Sequence, residues 1–110
     1  MSRLAPIGAL RARLILEAPT DVMDDNGGFA RTFSTLAVVW GEITPTRGRS
    51  SFDANQSEQV LTHRIRIRWR GDVSAQNRLR LGARMFTIRS VMDEDEKRRF
   101  LRLECEEIRP

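Results

Sequence analysis

The sequence predicts an all-β domain: a small β-barrel or sandwich of about six mostly antiparallel strands carrying two long loops. Two observations predict it. Apolar residues recur with period two rather than 3.6, the spacing of strands half-buried on one face. Between these alternating runs lie segments rich in Gly, Pro, Asn, Asp and Ser, the residues that turn a chain. At 110 residues the chain is the length of one domain, residues 1–110, with no room for a second.

The elements follow in order. Residues 11–17 read as a first strand. Residues 33–43 are rich in β-branched and aromatic side chains and apolar on both parities. That suits a strand buried on both faces, at a barrel corner or under a subunit contact, with Phe33 and Trp40 in core-like positions. The clearest strand comes next: Ile65, Ile67 and Trp69 alternate with Arg64, Arg66, Arg68 and Arg70. Gly71-Asp72-Val73-Ser74 is a turn leading into one helical turn near Ala75. Leu79 and Leu81 mark a short strand before Gly82. Phe86, Ile88, Ser90 and Met92 share one parity of another strand, and Leu101, Leu103 and Cys105 share one parity of the last. The charged run Asp93-Glu94-Asp95-Glu96-Lys97 joins these two as a hairpin loop.

Two connections are long for so small a domain. Residues 18–32 hold Asp24-Asp25-Asn26-Gly27-Gly28, and residues 44–57 hold Arg47, Arg49 and Phe52. Unstructured loops of about 12–15 residues are uncommon and are usually functional or disordered.

Composition excludes several functions. No apolar run approaches ~18 residues, so no transmembrane helix is expected. Arg3, Arg11 and Arg13 interrupt the N-terminal apolar stretch, which argues against a secretory leader. Cys105 is the sole cysteine and His63 the sole histidine. An intrachain disulfide or a cysteine-based zinc site is therefore impossible, and a nucleophilic triad has one candidate base. His63 shares the parity of Ile65 and reads as a structural residue at the strand's inward edge. The runs at Asp24 and Asp93 lack the ligand spacing of a calcium loop and read as solvated turns. No phosphate-binding glycine motif is present. No enzyme activity, metal or cofactor is expected.

Nineteen basic residues face 15 acidic ones, a net charge of +4, and all the basic residues but Lys97 are arginine. Arg64, Arg66, Arg68 and Arg70 fall on one face of a strand, about 6.6–7 Å apart. Such a stripe could track a phosphate backbone, or pair with carboxylates on a neighbouring strand or subunit, Glu104 and Glu106 included. A small arginine-rich nucleic-acid-binding barrel is thus the alternative reading. It lacks the exposed aromatics that single-stranded binders stack on bases.

Taken in order, these blocks resemble a known family. They are Ile7-Gly8-Ala9-Leu10-Arg11-Ala12-Arg13-Leu14, Asp24-Asp25-Asn26-Gly27-Gly28, the strand with Trp40 and Glu42-Ile43, the block from His63 to Trp69, Phe86 to Asp93, and Leu101 to Glu107. The chain resembles the head–tail joining proteins of tailed bacteriophages, also called head-closure or stopper proteins, with relatives in gene transfer agents. The resemblance implies a β-barrel subunit assembled in the bacterial cytoplasm into a virion or phage-like particle. It implies a ring of six or twelve copies that docks on the portal or adaptor above. Below, the ring receives the tail terminator or tail tube, and packaged double-stranded DNA fills its lumen. It implies no membrane partner and brings no catalytic residues. On this reading Asp24, Asp25, Asn26, Gly27, Gly28, Arg47, Arg49 and Phe52 lie in loops that contact the adaptor, the tail or the lumen. Arg64, Arg66, Arg68 and Arg70 would face DNA or a neighbouring subunit.

Overall fold

The computed structural model describes residues 10–46, 49–50 and 59–108. Eight strands occur in the order β1 (Ala12–Met23), β2 (Phe29–Pro45), β3 (Arg49–Ser50), β4 (Gln59–Val60), β5 (His63–Arg68), β6 (Arg78–Leu81), β7 (Arg84–Asp93) and β8 (Phe100–Ile108). Six of them close into an antiparallel barrel in the order β1-β2-β5-β8-β7-β6, and β3 pairs with β4 as a short ribbon. No helix is present among the described residues, and none long and apolar enough to cross a membrane. The expected all-β barrel of six strands is the fold.

The alternation of apolar and polar residues explains the closure. Leu14 and Leu16 of β1, Val39 of β2, Ile65 and Ile67 of β5, Leu79 of β6, Phe86 and Ile88 of β7, and Leu101, Leu103 and Cys105 of β8 all point inward and form one core. A six-stranded barrel is narrow enough for such side chains to fill it. Burying a Leu, Ile or Phe side chain stabilises by about 1.5–3 kcal/mol, whereas an exposed ion pair contributes about 0–1 kcal/mol. The core therefore holds the barrel, and the exposed arginine pairs add little.

Gly41 lets two walls approach. A Cβ there would lie 2.8 Å from Leu14 Cδ1 and 3.1 Å from both the Arg66 carbonyl oxygen and Ile67 Cγ2.

Two bulges shape the sheet. On β2, Leu36 is the extra residue, because Leu16 pairs with Ala37 while Glu17 pairs with Thr35. On β7, Arg89 is extra, because Ile88 pairs with Cys105 while Ser90 pairs with Glu104. An extra residue reverses the facing of everything beyond it. This corrects the single parity expected for β7. Val91, not Ser90 or Met92, packs on the core past the bulge, and Met92 is exposed.

Four further expectations are corrected. Residues 18–32 are not a loop: β1 and β2 stay paired to Met23 and Phe29, leaving a turn of five residues. This two-stranded arm stands off the barrel and makes the molecule elongated, 54 × 37 × 27 Å. Its radius of gyration of 15.3 Å exceeds the ~13 Å of a compact chain this long. Second, β2 is buried on one face only. Val39 faces the core, while Leu36, Val38 and Trp40 face outward, Trp40 with 53% of its surface exposed. Third, Phe33 sits half-buried beside the arm rather than in the core. Fourth, Ala75 lies in a tight turn closed by Asn77 N donating to the Ser74 carbonyl (3.1 Å), not in a helix. Of the second expected loop, residues 44–57, the structure describes Thr44, Pro45 and Thr46 and the backbone of Arg49 and Ser50. Arg47 and Phe52 lie outside the described residues.

Candidate functional site

The tip of the arm is built by its own turn. Asp24 Oδ1 accepts hydrogen bonds from the backbone N–H of Asn26 (2.9 Å) and Gly28 (2.8 Å). Asp24 N in turn donates to the Gly28 carbonyl (2.8 Å). Gly27 occupies the left-handed region at φ 81°, which a residue with a Cβ enters at a cost. Asp24 to Gly28, expected within the first long loop, thus form one tight turn, and all are exposed. Directly beneath it Met23 and Phe29 face each other across the ribbon. They are 67% and 69% exposed, with Val22 beside them. The apolar pair is held open to solvent at the end of the ribbon.

The arm is anchored at its root by a buried charge cluster. Glu17, almost wholly buried, accepts from Arg78 Nε at 2.6 Å and lies 3.3 Å from Arg80 Nη2. Asn77 Nδ2 donates to the Glu17 carbonyl (3.2 Å). The Arg78 guanidinium stacks 3.8 Å from the Phe33 ring centre. This cluster sits where β1 meets β6 through only three residue pairs, the narrowest seam of the barrel.

The arginine stripe separates into individual fates. Arg64 donates to Glu104 at 3.0 Å. Arg66 is buried, grips Glu94 through two nitrogens (2.7 and 3.0 Å), and covers the Phe100 ring at 4.0 Å. Arg70 lies past the strand and pairs with Asp72 (2.8 and 2.9 Å). That hydrogen bond holds the Asp72 carboxyl below the usual carboxylate range. Arg68 is exposed and pairs with no carboxylate among the described residues. Glu106, an expected partner of the stripe, pairs with Arg89 instead.

A second surface lies where β2 passes the end of β5. Val38, Trp40, Arg68, Trp69 and Arg70 line a cleft of about 310 Å³. The Arg98 guanidinium stands 5.5 Å above the Trp69 ring. Sequence reasoning places Trp40 in the core. The signal for the cleft is nonetheless present, because a strand apolar on both parities needs a cover for its second face.

Nothing in the described residues forms a catalytic arrangement. His63 is edge-on to Phe86 (5.2 Å) and lies 2.9 Å from Thr62 Oγ1 and 3.9 Å from Glu107. It packs as a wall residue, as expected. Burial, helped by nearby Glu104, pushes the Cys105 thiol up to about 12, so it is not an activated nucleophile. Among the described residues no three His, Cys, Asp or Glu side chains converge on a metal position.

A closed barrel with a projecting arm and exposed apolar contacts is the form of an assembly subunit, and comparison with known proteins agrees. The family model described as phage head completion protein matches residues 5–108. The chain belongs to that family. A solved chain from the virion of a native gene transfer agent particle shares 26% identity with a TM-score of 0.66. The match covers 90% of this chain and 96% of that one. The Shigella flexneri 2a protein SF1141, solved in solution, shares 23% identity with a TM-score of 0.69, covering 94% and 96%, and shows the same fold. No curated protein matches the chain. The arm tip and the tryptophan cleft both expose large apolar side chains.

Proposed function

We propose that this head completion protein is the subunit of a ring that closes a DNA-filled head and presents the surface on which the tail attaches. Family membership supports a structural role in a phage or gene-transfer-agent virion. The finer reading is a cyclic assembly of six or twelve copies. The portal or adaptor lies above it, the tail terminator or tail tube below, and packaged DNA in the lumen. The observation that carries it is the arm: a ribbon paired to Met23 and Phe29 that adds no residue to the core and exposes its largest apolar side chains at the tip. Exposed apolar patches of this kind mark interaction sites. The likeness to a chain solved within a gene transfer agent virion supports the same setting.

The nucleic-acid reading has less support. Three of the four stripe arginines are neutralised by their own carboxylates. Only free guanidinium groups release counterions from a phosphate backbone.

The test is deletion of the coding sequence in its native genome, followed by negative-stain imaging of released particles. Filled heads and separate tails, rejoined when the protein is supplied, are the expected result. Normal joined particles would overturn the proposal.

A further inference from the structure

We propose that the arm tip of one copy seats in the Trp40–Trp69 cleft of the next copy, making a head-to-tail interface. This rests on the reading of the chain as a ring subunit and names the contact that builds the ring.

The two surfaces match in apolar character and in charge. The tip offers Met23 and Phe29 as a preformed apolar pair, fixed by the Asp24 turn. Little conformational freedom is lost when it docks. The cleft has an apolar wall of Val38, Trp40 and Trp69. Apolar side chains that displace poorly held water from such a cleft gain affinity.

At the tip, Asp25 is exposed and pairs with no cation among the described residues. At the cleft, Arg68 is exposed without a carboxylate partner, and the Arg98 guanidinium lies on Trp69. Several other surface acids pair with arginines within the chain, as Asp21 with Arg31 and Glu107 with Arg84. An uncompensated acid on one surface and uncompensated cations on the other are complementary.

Topology forbids the contact within one chain. Phe29 and Trp40 lie on the same strand, eleven residues and about 36 Å apart at ~3.3 Å per residue. The tip of a paired ribbon cannot fold back along its own strand. Between copies, two different complementary patches make a heterologous interface, which repeats until a ring closes. A second copy is favoured over another protein because this chain itself carries both halves of the match.

Cysteine cross-linking of the full-length protein tests this. The native Cys105 is buried and stays out of the reaction. Asn26→Cys combined with Val38→Cys should, under mild oxidation, give a ladder of covalent oligomers ending at a discrete ring. The control pair Asn26→Cys with Gln76→Cys should not. Asp25→Lys should slow the ladder several-fold, and adding Arg68→Glu should restore it. Native mass spectrometry of the same samples and of connectors from particles reports the ring independently. Rings without the ladder would overturn this interface and leave the ring reading standing. A monomer in both preparations would overturn both. A disulfide from the Asn26→Cys variant to a different virion protein would assign the tip to that protein and overturn the proposal.

Discussion

Arg66 and Arg70 belong to the same sequence pattern yet differ in what they do. Arg66 is buried, doubly bonded to Glu94 and stacked on Phe100. Removing one member of a buried pair leaves the other uncompensated. Arg66→Ala should therefore cost about 3 kcal/mol in urea unfolding. The double change Arg66→Met with Glu94→Gln should cost less than that, because it leaves no lone charge. The Arg70 and Asp72 side chains are 35% and 46% exposed, in the range of surface pairs, so Arg70→Ala should cost no more than about 1 kcal/mol. Asp72 is held low by Arg70, and Asp95 is held low by its hydrogen bond from Arg99. A depressed carboxyl contributes stability above its unfolded pKa and loses it as pH falls through the folded value. These two pairs should thus weaken only below about pH 4, and added salt should shrink the effect. Cys105 runs the opposite way, raised from 9.0 to about 12. Its contribution is intact below pH 9 and is lost as pH rises toward 12, where the unfolded thiol has ionised first. Thiol labelling at pH 8 should follow global unfolding. Rapid labelling of the native protein would show a core more open than the structure has it.

Among the elements, the strands hold by alternation and the turns by single residues. Gly41→Ala pushes a methyl group onto Leu14 and the β5 backbone and should cost about 1–3 kcal/mol by overpacking. Gly27→Ala has open space around it but keeps φ 81°, so it should cost roughly 1–2 kcal/mol from backbone strain alone. Measured melting curves that reverse this origin, with Gly41→Ala neutral, would contradict the close approach of β2 and β5. The strands at Ile65, Leu79, Phe86 and Leu103 are legible in the sequence because a period of two marks their core-facing residues, in β7 as far as Ile88. The arm is not. Its residues 18–23 and 29–34 add nothing to the core from either face, so no alternation marks them, and the Asp-Asn-Gly-Gly cluster reads as part of a longer loop. The bulges at Leu36 and Arg89 are also invisible, since an extra residue leaves a local pattern intact and changes only what lies beyond it. Trp40 is misplaced for a related reason: a strand apolar on both parities looks doubly buried whether its cover is the same chain or another. The stripe reads as four equivalent arginines. Glu104 takes Arg64, one of the pairings the alternation of β8 suggests, but Glu94, in the turn after β7, takes Arg66, and a strand's pattern contains no sign of that.

For the whole molecule, folding and assembly are housed in separate parts. Every core residue lies outside residues 18–35, while the largest apolar exposures of the arm lie inside them. The arm is thus an addition to a barrel that closes without it, through β1–β6 and the Glu17–Arg78 cluster at its root. Replacing residues 20–32 by Asn-Gly, a favoured two-residue hairpin turn, keeps Pro19 opposite Phe33 and preserves that root. The shortened protein should unfold in one cooperative transition and lose less than about 1 kcal/mol, or about 4–8 °C in melting temperature for a chain of this size. The same protein should fail to join heads to tails when it replaces the natural chain in particles. Folding retained with joining lost would locate assembly in the arm. Joined particles from the shortened chain would show that the barrel wall alone makes the connection, and the exposed tip would then need another use. A chain that no longer folds would show that the arm supports the β1–β6 seam, contrary to where the core lies.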